Sequence, residues 1–141
     1  MPTRIAEAGW QGNLIDGTGH IKLGSGVFEG PYDWRSRSAD GPLTNPEELL
    51  GAAHAGCFTM AFTAQLSGAG HPPTRVHTTA NVHLEKLEDG FAITKIELVN
   101  ESDVPGISAE LFQELAAKAK SGCPLSKALA GTEIHLKAKL V

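Results

Sequence analysis

The stretch that decides the fold is Asn45-Pro46-Glu47-Glu48-Leu49-Leu50-Gly51-Ala52-Ala53-His54-Ala55-Gly56-Cys57-Phe58, continued by Thr59-Met60-Ala61-Phe62-Thr63-Ala64-Gln65-Leu66. It opens as a helix start. Asn45 suits the N-cap, Pro46 the first helical position, and Glu48 completes a capping-box-like arrangement. The helix is expected to run to about Leu66 and to stop at Ser67-Gly68-Ala69-Gly70, with Pro72-Pro73 beyond. After Glu48 it carries no charge, and Ala, Leu, Met and Phe fall on nearly every side, so it should be buried. Gly51 and Gly56 would let another element approach its backbone closely. A chain of 141 residues is one domain in size, 1–141, and has trouble burying a helix all round. A second copy would solve that, so a homodimer is expected.

The pattern on either side of the helix is different. Residues 4–37 read as β, punctuated by Asp16-Gly17 and Gly24-Ser25-Gly26. Residues 75–86 alternate, with Val76, Thr78, Ala80, Val82 and Leu84 on one face. Glu88-Asp89-Gly90 signals a hairpin into a strand at 91–99, with Ala92, Thr94, Ile96 and Leu98 on one face. Ser108 opens a second helix over 108–120. Cys123-Pro124 begins a short third one to about Ala130, and residues 133–140 form a last strand. Hairpins with segregated helices predict an α+β fold, largely antiparallel, around a long buried central helix.

Composition bounds the function. The chain is 41% hydrophobic and 20% charged with net charge −4, ordinary for a globular protein, and its Lys and Arg are scattered. No basic cluster favours nucleic acid or an anionic membrane. No run reaches the roughly 18 apolar residues of a membrane span, and Met1-Pro2-Thr3-Arg4-Ile5-Ala6-Glu7 does not read as a signal peptide. The expected compartment is the cytoplasm, where thiols stay reduced.

The two cysteines therefore point to thiol chemistry. Cys57 lies mid-helix among apolar neighbours, which alone would raise its pKa, so it needs a nearby cation. Arg35 and Arg37 are the candidates, and Glu47 could hold such an arginine by a bidentate pair. Ten residues of helix separate Glu47 from Cys57, about 15 Å at roughly 1.5 Å per residue. An arginine held there would reach Cys57 more readily from a second subunit, which predicts a site composed across a dimer interface. Cys123, just before Pro124, sits at a predicted helix N-cap. Backbone N–H groups and the helix dipole favour a thiolate there. On these grounds Cys123 looks the more activated thiol.

Other arrangements are weaker. His54, three residues before Cys57, is within side-chain reach of it. A Cys57–His54 pair would serve a cysteine hydrolase or acyltransferase, but a hydrogen-bonded core histidine is the commoner outcome. A zinc site from His54, Cys57 and Cys123 lacks close ligand pairs. His20, His71, His77, His83 and His135 read as polar surface. A non-enzymatic carrier of apolar ligands is the remaining alternative.

Asn45 to Phe58, together with Gly122-Cys123-Pro124-Leu125-Ser126-Lys127, resembles the two signature segments of the OsmC/Ohr family, the osmotically inducible protein C and organic hydroperoxide resistance proteins. Gly90-Phe91-Ala92-Ile93-Thr94-Lys95-Ile96 and Val104-Pro105-Gly106-Ile107 extend the likeness along the chain, and Gly51-Ala52-Ala53-His54-Ala55 is closer to the OsmC branch. The resemblance implies an intertwined α+β homodimer with two interface sites. It also implies a thiol-dependent peroxidase for organic hydroperoxides, acting in oxidative or osmotic stress defence. By that likeness Cys57 is the peroxidatic thiol, Cys123 the resolving one, and Glu47 the acidic partner of Arg37, with Arg35 as the fallback. The cycle implied runs through a Cys57 sulfenic acid and a Cys57–Cys123 disulfide, reduced by an external thiol such as a lipoylated protein or small dithiol. It requires no cofactor, metal or haem. The resemblance and the N-cap reasoning differ over which thiol is the more activated.

Overall fold

A computed structural model describes the whole chain, Met1–Val141, as two compact units, Met1–Leu49 and Leu50–Val141. The first unit holds a meander of β1 (Ala6–Gln11), β2 (Thr18–Leu23) and β3 (Glu29–Tyr32), antiparallel throughout and ordered β1-β2-β3. The Asp16-Gly17 turn is tied by Asn13, which accepts from the Asp16 N–H through its side chain and from the Gly17 N–H through its carbonyl.

The expectation of β structure as far as residue 37 fails at Tyr32. Asp33 accepts a hydrogen bond from the Ser36 N–H at 2.8 Å and caps a short helix, α1 (Trp34–Ser38). A good N-cap side chain outweighed the weak strand pattern. Little of this unit is covered: Ile21 is buried, whereas Ile5, Leu14, Ile15 and Val27 are exposed.

The long helix, α2 (Pro46–Gly68), starts in the first unit and continues through the second. Asn45 caps it as expected, accepting from the Glu48 N–H at 2.8 Å. The capping box does not close. The Glu48 carboxylate accepts from the Thr44 hydroxyl at 2.7 Å, which takes it away from the Asn45 N–H.

The second unit adds β4 (Arg75–Leu87), β5 (Gly90–Asp103), α3 (Ala109–Gly122), α4 (Pro124–Ala128) and β6 (Glu133–Leu140). The sheet order is β4-β5-β6. β4 and β5 form the predicted antiparallel hairpin, while β6 runs parallel to β5, with α3 and α4 in the connection between them. Phe58, Phe62 and Leu66 of α2, Ile96 and Leu98 of β5, and Phe112, Leu115, Ala116 and Ala119 of α3 make the core. Phe62 is its hub, with ring centroids 5.6 Å from Phe58 and 5.2 Å from Phe112.

β5 runs four residues beyond the expected end at 99. Asn100 and Ser102, in this extension, are polar but buried and satisfied. Ser102 Oγ donates to Asn100 Oδ1 (2.7 Å), Asn100 Nδ2 donates to Thr78 Oγ1 (3.0 Å), and Thr59 of α2 donates to that same hydroxyl (2.8 Å).

Within one chain α2 is covered on one side only, so the burial all round that its apolar surface calls for is not completed by a single copy. His54, Phe58, Phe62 and Leu66, spaced by four, are fully buried; Ala52, Ala53, Gly56 and Met60 are exposed. Gly51 does permit a close approach: a Cβ there would meet Val82 Cγ2 at 3.3 Å. Gly56 has nothing within 4 Å. No helix is long and apolar enough to cross a membrane.

Candidate active site

Cys57 and Cys123 are free thiols whose sulfurs lie 2.7 Å apart. The backbone brings them together in a definite way. Cys57 is midway along α2. Cys123 ends α3, its N–H donating to the Ala119 carbonyl, and caps α4, its carbonyl accepting from Lys127. Pro124 takes the first position of α4, where no N–H is needed. The Cys123 side chain makes no capping hydrogen bond to the first turn of α4; its sulfur meets that of Cys57 instead. Disulfide sulfurs sit at about 2.05 Å, so the two thiols are already close to bonding distance.

The environment separates the two thiols. Burial pushes Cys57 up, and its hydrogen bond with Cys123 pushes it further, against a smaller opposing effect of the Leu125 N–H. Burial also pushes Cys123 up. Contact with Cys57 first, and then the polar groups of Ser126 and Leu125 at the start of α4, outweigh it, and the Cys123 thiol lies below its ordinary value. Of the two neighbouring thiols, Cys123 is therefore the more readily ionised and Cys57 the less. The N-cap reasoning anticipated this order.

His54 is fully buried and does not engage Cys57. Its Nε2 lies 2.9 Å from Ser126 Oγ, Nδ1 has no partner, and burial holds its pKa below the usual value, so the ring is neutral. The core-histidine expectation holds; the Cys–His hydrolase pair is not built. No group of three or more His, Cys, Asp or Glu side chains is arranged to hold a metal. Ser126, buried between His54 and Cys123, is the site residue the sequence reading missed. Its signal was the spacing in Cys123-Pro124-Leu125-Ser126, which puts a hydroxyl at the third position of the helix that Cys123 caps.

Arg37 and Glu47 meet in the first unit. Arg37 Nη2 donates to Glu47 Oε1 at 2.8 Å, and Nε donates to Oε1 and Oε2 at 3.1 and 3.3 Å. Ser36 fixes the chain for this. Its hydroxyl accepts from the Leu43 N–H (2.9 Å) and its carbonyl from Asn45 Nδ2 (3.0 Å), which folds the loop back over α1. Gly41 is required because a Cβ there would strike Ser36. Glu47 is 7% exposed, so its carboxylate depends on this partner. Arg35 is exposed and stands outside the pair; Arg37 is the arginine that Glu47 holds.

Known proteins resemble this chain in sequence and fold. The model of the OsmC-like protein family matches residues 39–139. Peroxiredoxin OsmC of Escherichia coli (strain K12) is 48% identical over 124 residues, covering 87% of each chain. An organic hydroperoxide resistance protein of Xanthomonas axonopodis pv. citri is 35% identical over 94 residues, 66% of this chain and 64% of that one. The crystal structure of an organic hydroperoxide resistance protein from Elizabethkingia anophelis superposes with a TM-score of 0.78 at 28% identity, covering 100% of this chain and 98% of the other. On the matched length and the shared fold, the chain belongs to the OsmC-like protein family.

Proposed function

We infer that the chain is a thiol-dependent peroxidase that reduces organic hydroperoxides to alcohols in stress defence. The observation that carries this reading is the pair of free sulfurs 2.7 Å apart. The Cys57 thiolate attacks one peroxide oxygen; the O–O bond breaks, the alkoxide leaves and takes a proton, and Cys57 becomes a sulfenic acid. The Cys123 thiolate then attacks the Cys57 sulfur. Hydroxide leaves, takes a proton and departs as water, and the disulfide closes. A dithiol reductant, a lipoylated protein or a small dithiol, restores both thiols. No resident cofactor has a role in these steps.

Cys57 requires a cation to react, because its surroundings in one chain favour the protonated form. Arg37, oriented by Glu47, supplies it in this reading. Along α2 the distance from Glu47 favours delivery from a second copy, which makes the working unit a homodimer. The exposed Ala52, Ala53, Gly56 and Met60 face of α2 is the surface such a copy would cover. The expected compartment is the cytoplasm, where a reductant keeps the cycle running.

The test is a free-thiol count on reduced protein after one equivalent of cumene hydroperoxide, with peptide mapping. Loss of both thiols and a Cys57–Cys123 peptide are expected. Two unchanged thiols sink the peroxidase.

A further inference from the structure

Two links join α2 to the segment formed by Cys123 and α4, and they are spaced alike. Cys57 Sγ lies 2.7 Å from Cys123 Sγ, and His54 Nε2 lies 2.9 Å from Ser126 Oγ. His54 precedes Cys57 by three residues and Ser126 follows Cys123 by three. On both sides the hydrogen bond therefore stands about one helical turn from the sulfur contact. One such bond is made whichever tautomer the ring adopts, because a hydroxyl both donates and accepts.

Little else fastens α4 beside Cys123. The helix has five residues, Pro124–Ala128, too few to be stable alone. Between Ala119 and Leu129 the only buried residues are Cys123 and Ser126; Pro124, Lys127 and Ala128 are exposed. Leu129, at the far end, packs against the core. The end of α4 next to the thiol is thus held by a polar contact where an apolar side chain would be the ordinary choice. Stability does not call for His54 either. The ring is fully buried and Nδ1 has no partner, and an apolar residue there would leave no polar atom unsatisfied. What the histidine adds is a polar atom that reaches the α4 hydroxyl.

We propose that the His54–Ser126 hydrogen bond is a clamp that holds α4 against α2 and keeps the two sulfurs at reacting distance. The proposal rests on the two-cysteine cycle above and goes beyond it by naming two positioning residues, which act through the backbone of α2 and α4. Two links between the same segments are coupled, and the coupling is reciprocal: the clamp favours the disulfide as much as the disulfide favours the clamp. Part of the ordering that bond formation demands is already present in the reduced protein.

Equilibrium with glutathione reads this coupling without hydroperoxide. In that exchange the protein's two thiols give up two electrons and two protons, a sulfur–sulfur bond forms between Cys57 and Cys123, and one glutathione disulfide is cleaved to two glutathiones. The full chain is equilibrated over a range of glutathione ratios and quenched with acid, and the Cys57–Cys123 peptide is quantified by mass. His54→Leu is expected to lower the equilibrium constant for the disulfide about three- to tenfold, the factor for one net hydrogen bond, and Ser126→Ala by a similar factor. The double variant should lose no more than either single one, because both remove the same bond. His54→Gln, which keeps an amide within reach of the hydroxyl, should recover most of the loss. Melts of the reduced proteins run alongside, and the equilibrium constant should fall even where His54→Leu leaves the melting point unchanged or raised. A constant within about twofold of wild type in folded Ser126→Ala protein, losses that add in the double variant, or a His54→Gln protein as impaired as His54→Leu overturns the clamp. A wild type that forms no Cys57–Cys123 disulfide with glutathione overturns it as well. A wild type that forms the disulfide but is inert to hydroperoxide overturns the peroxidase reading alone, and the variants still decide the clamp.

Discussion

Glu47→Gln separates the two roles of the Arg37–Glu47 pair. It leaves the arginine in place and removes the charge that orients it. The pair is bidentate, with its shortest contact at 2.8 Å; the glutamate side chain is 9% exposed and that of the arginine 40%. Exposed pairs contribute about 0.2–1 kcal/mol, and breaking a buried one costs about 3–5 kcal/mol. Screening through the exposed arginine places this pair between, at about 1–2 kcal/mol. A domain of this size should then melt about 3–6 °C lower. Such a loss leaves nearly all molecules folded at 25 °C, since domains of this kind carry about 5–15 kcal/mol.

Activity should fall much further. If Arg37 charges Cys57, a single unit of lost pKa depression is a tenfold loss of thiolate, so kcat/KM for an organic hydroperoxide should drop tenfold or more. Arg37→Ala should drop it at least as far. Arg37→Lys, which keeps the charge but not the two-armed grip, should fall between. Stopped-flow peroxide consumption by reduced protein, run beside thermal melts, reads both quantities. A melting point that falls while kcat/KM stays within about twofold of wild type would refute the catalytic role of the pair and leave it structural.

Cys57→Ser should consume no hydroperoxide, whereas Cys123→Ser should complete one turnover and stall as a sulfenic acid that dimedone traps; equal behaviour of the two would contradict their roles. The pKa of His54 is lowered in the fold, so below the unfolded value of about 6.5 the unfolded chain takes up a proton that the folded chain refuses. Its stabilising contribution is complete above that pH and is lost as pH falls toward the folded pKa. Melts against pH should therefore show an acid limb that is shallower in His54→Gln, and an identical limb would be evidence against this. Phe62→Ala empties the hub between Phe58 and Phe112 and should cost about 3–5 kcal/mol by urea denaturation; a cost below 1 kcal/mol would mean the core closes without it. Met60, 76% exposed on α2, belongs to the proposed dimer face, so Met60→Glu should turn a sedimenting dimer into a monomer. A wild type that sediments as a monomer removes the dimer altogether.

Legibility in the sequence followed the range over which each feature is determined. α2 and its cap were readable because Asn45, Pro46 and the apolar run act within a few residues. The alternation in β4 and β6 was readable because a strand repeats every two residues. α1 was hidden because its signal is one side chain, Asp33, inside a stretch that otherwise looks extended. The far end of β5 was hidden because Asn100 and Ser102 earn burial only through Thr78 and Thr59, partners on two other elements. In the site, an arginine for Glu47 was foreseeable from charge and proximity along the chain, which left Arg35 and Arg37 open; the family resemblance favoured Arg37, the one that Glu47 holds. Ser126 was not, because its importance depends on His54, on a different helix. The side of α2 that faces solvent in one chain could not be told from the side that faces the core, because the apolar residues surround the helix.

The two thiols are served by stabilisers of different kinds, and this reconciles surroundings that favour ionisation of Cys123 with the proposed cycle, which begins at Cys57. The pKa of Cys123 is lowered first by its contact with Cys57 and then by the polar groups of Leu125 and Ser126 in its own unit. They cost no further ordering once α4 has folded. Cys57 shares only the Leu125 N–H and lies in surroundings that favour its protonated form. A full positive charge is the kind of stabiliser able to reverse that preference at short range. With such a charge beside Cys57, the shared proton moves to Cys123 and the peroxide meets a thiolate. Once Cys57 is a neutral sulfenic acid it no longer competes for the charge, and the dipoles around Cys123 again favour its thiolate, the form needed to close the disulfide. In the proposed cycle the order of the steps then follows from which sulfur holds the charge at each stage.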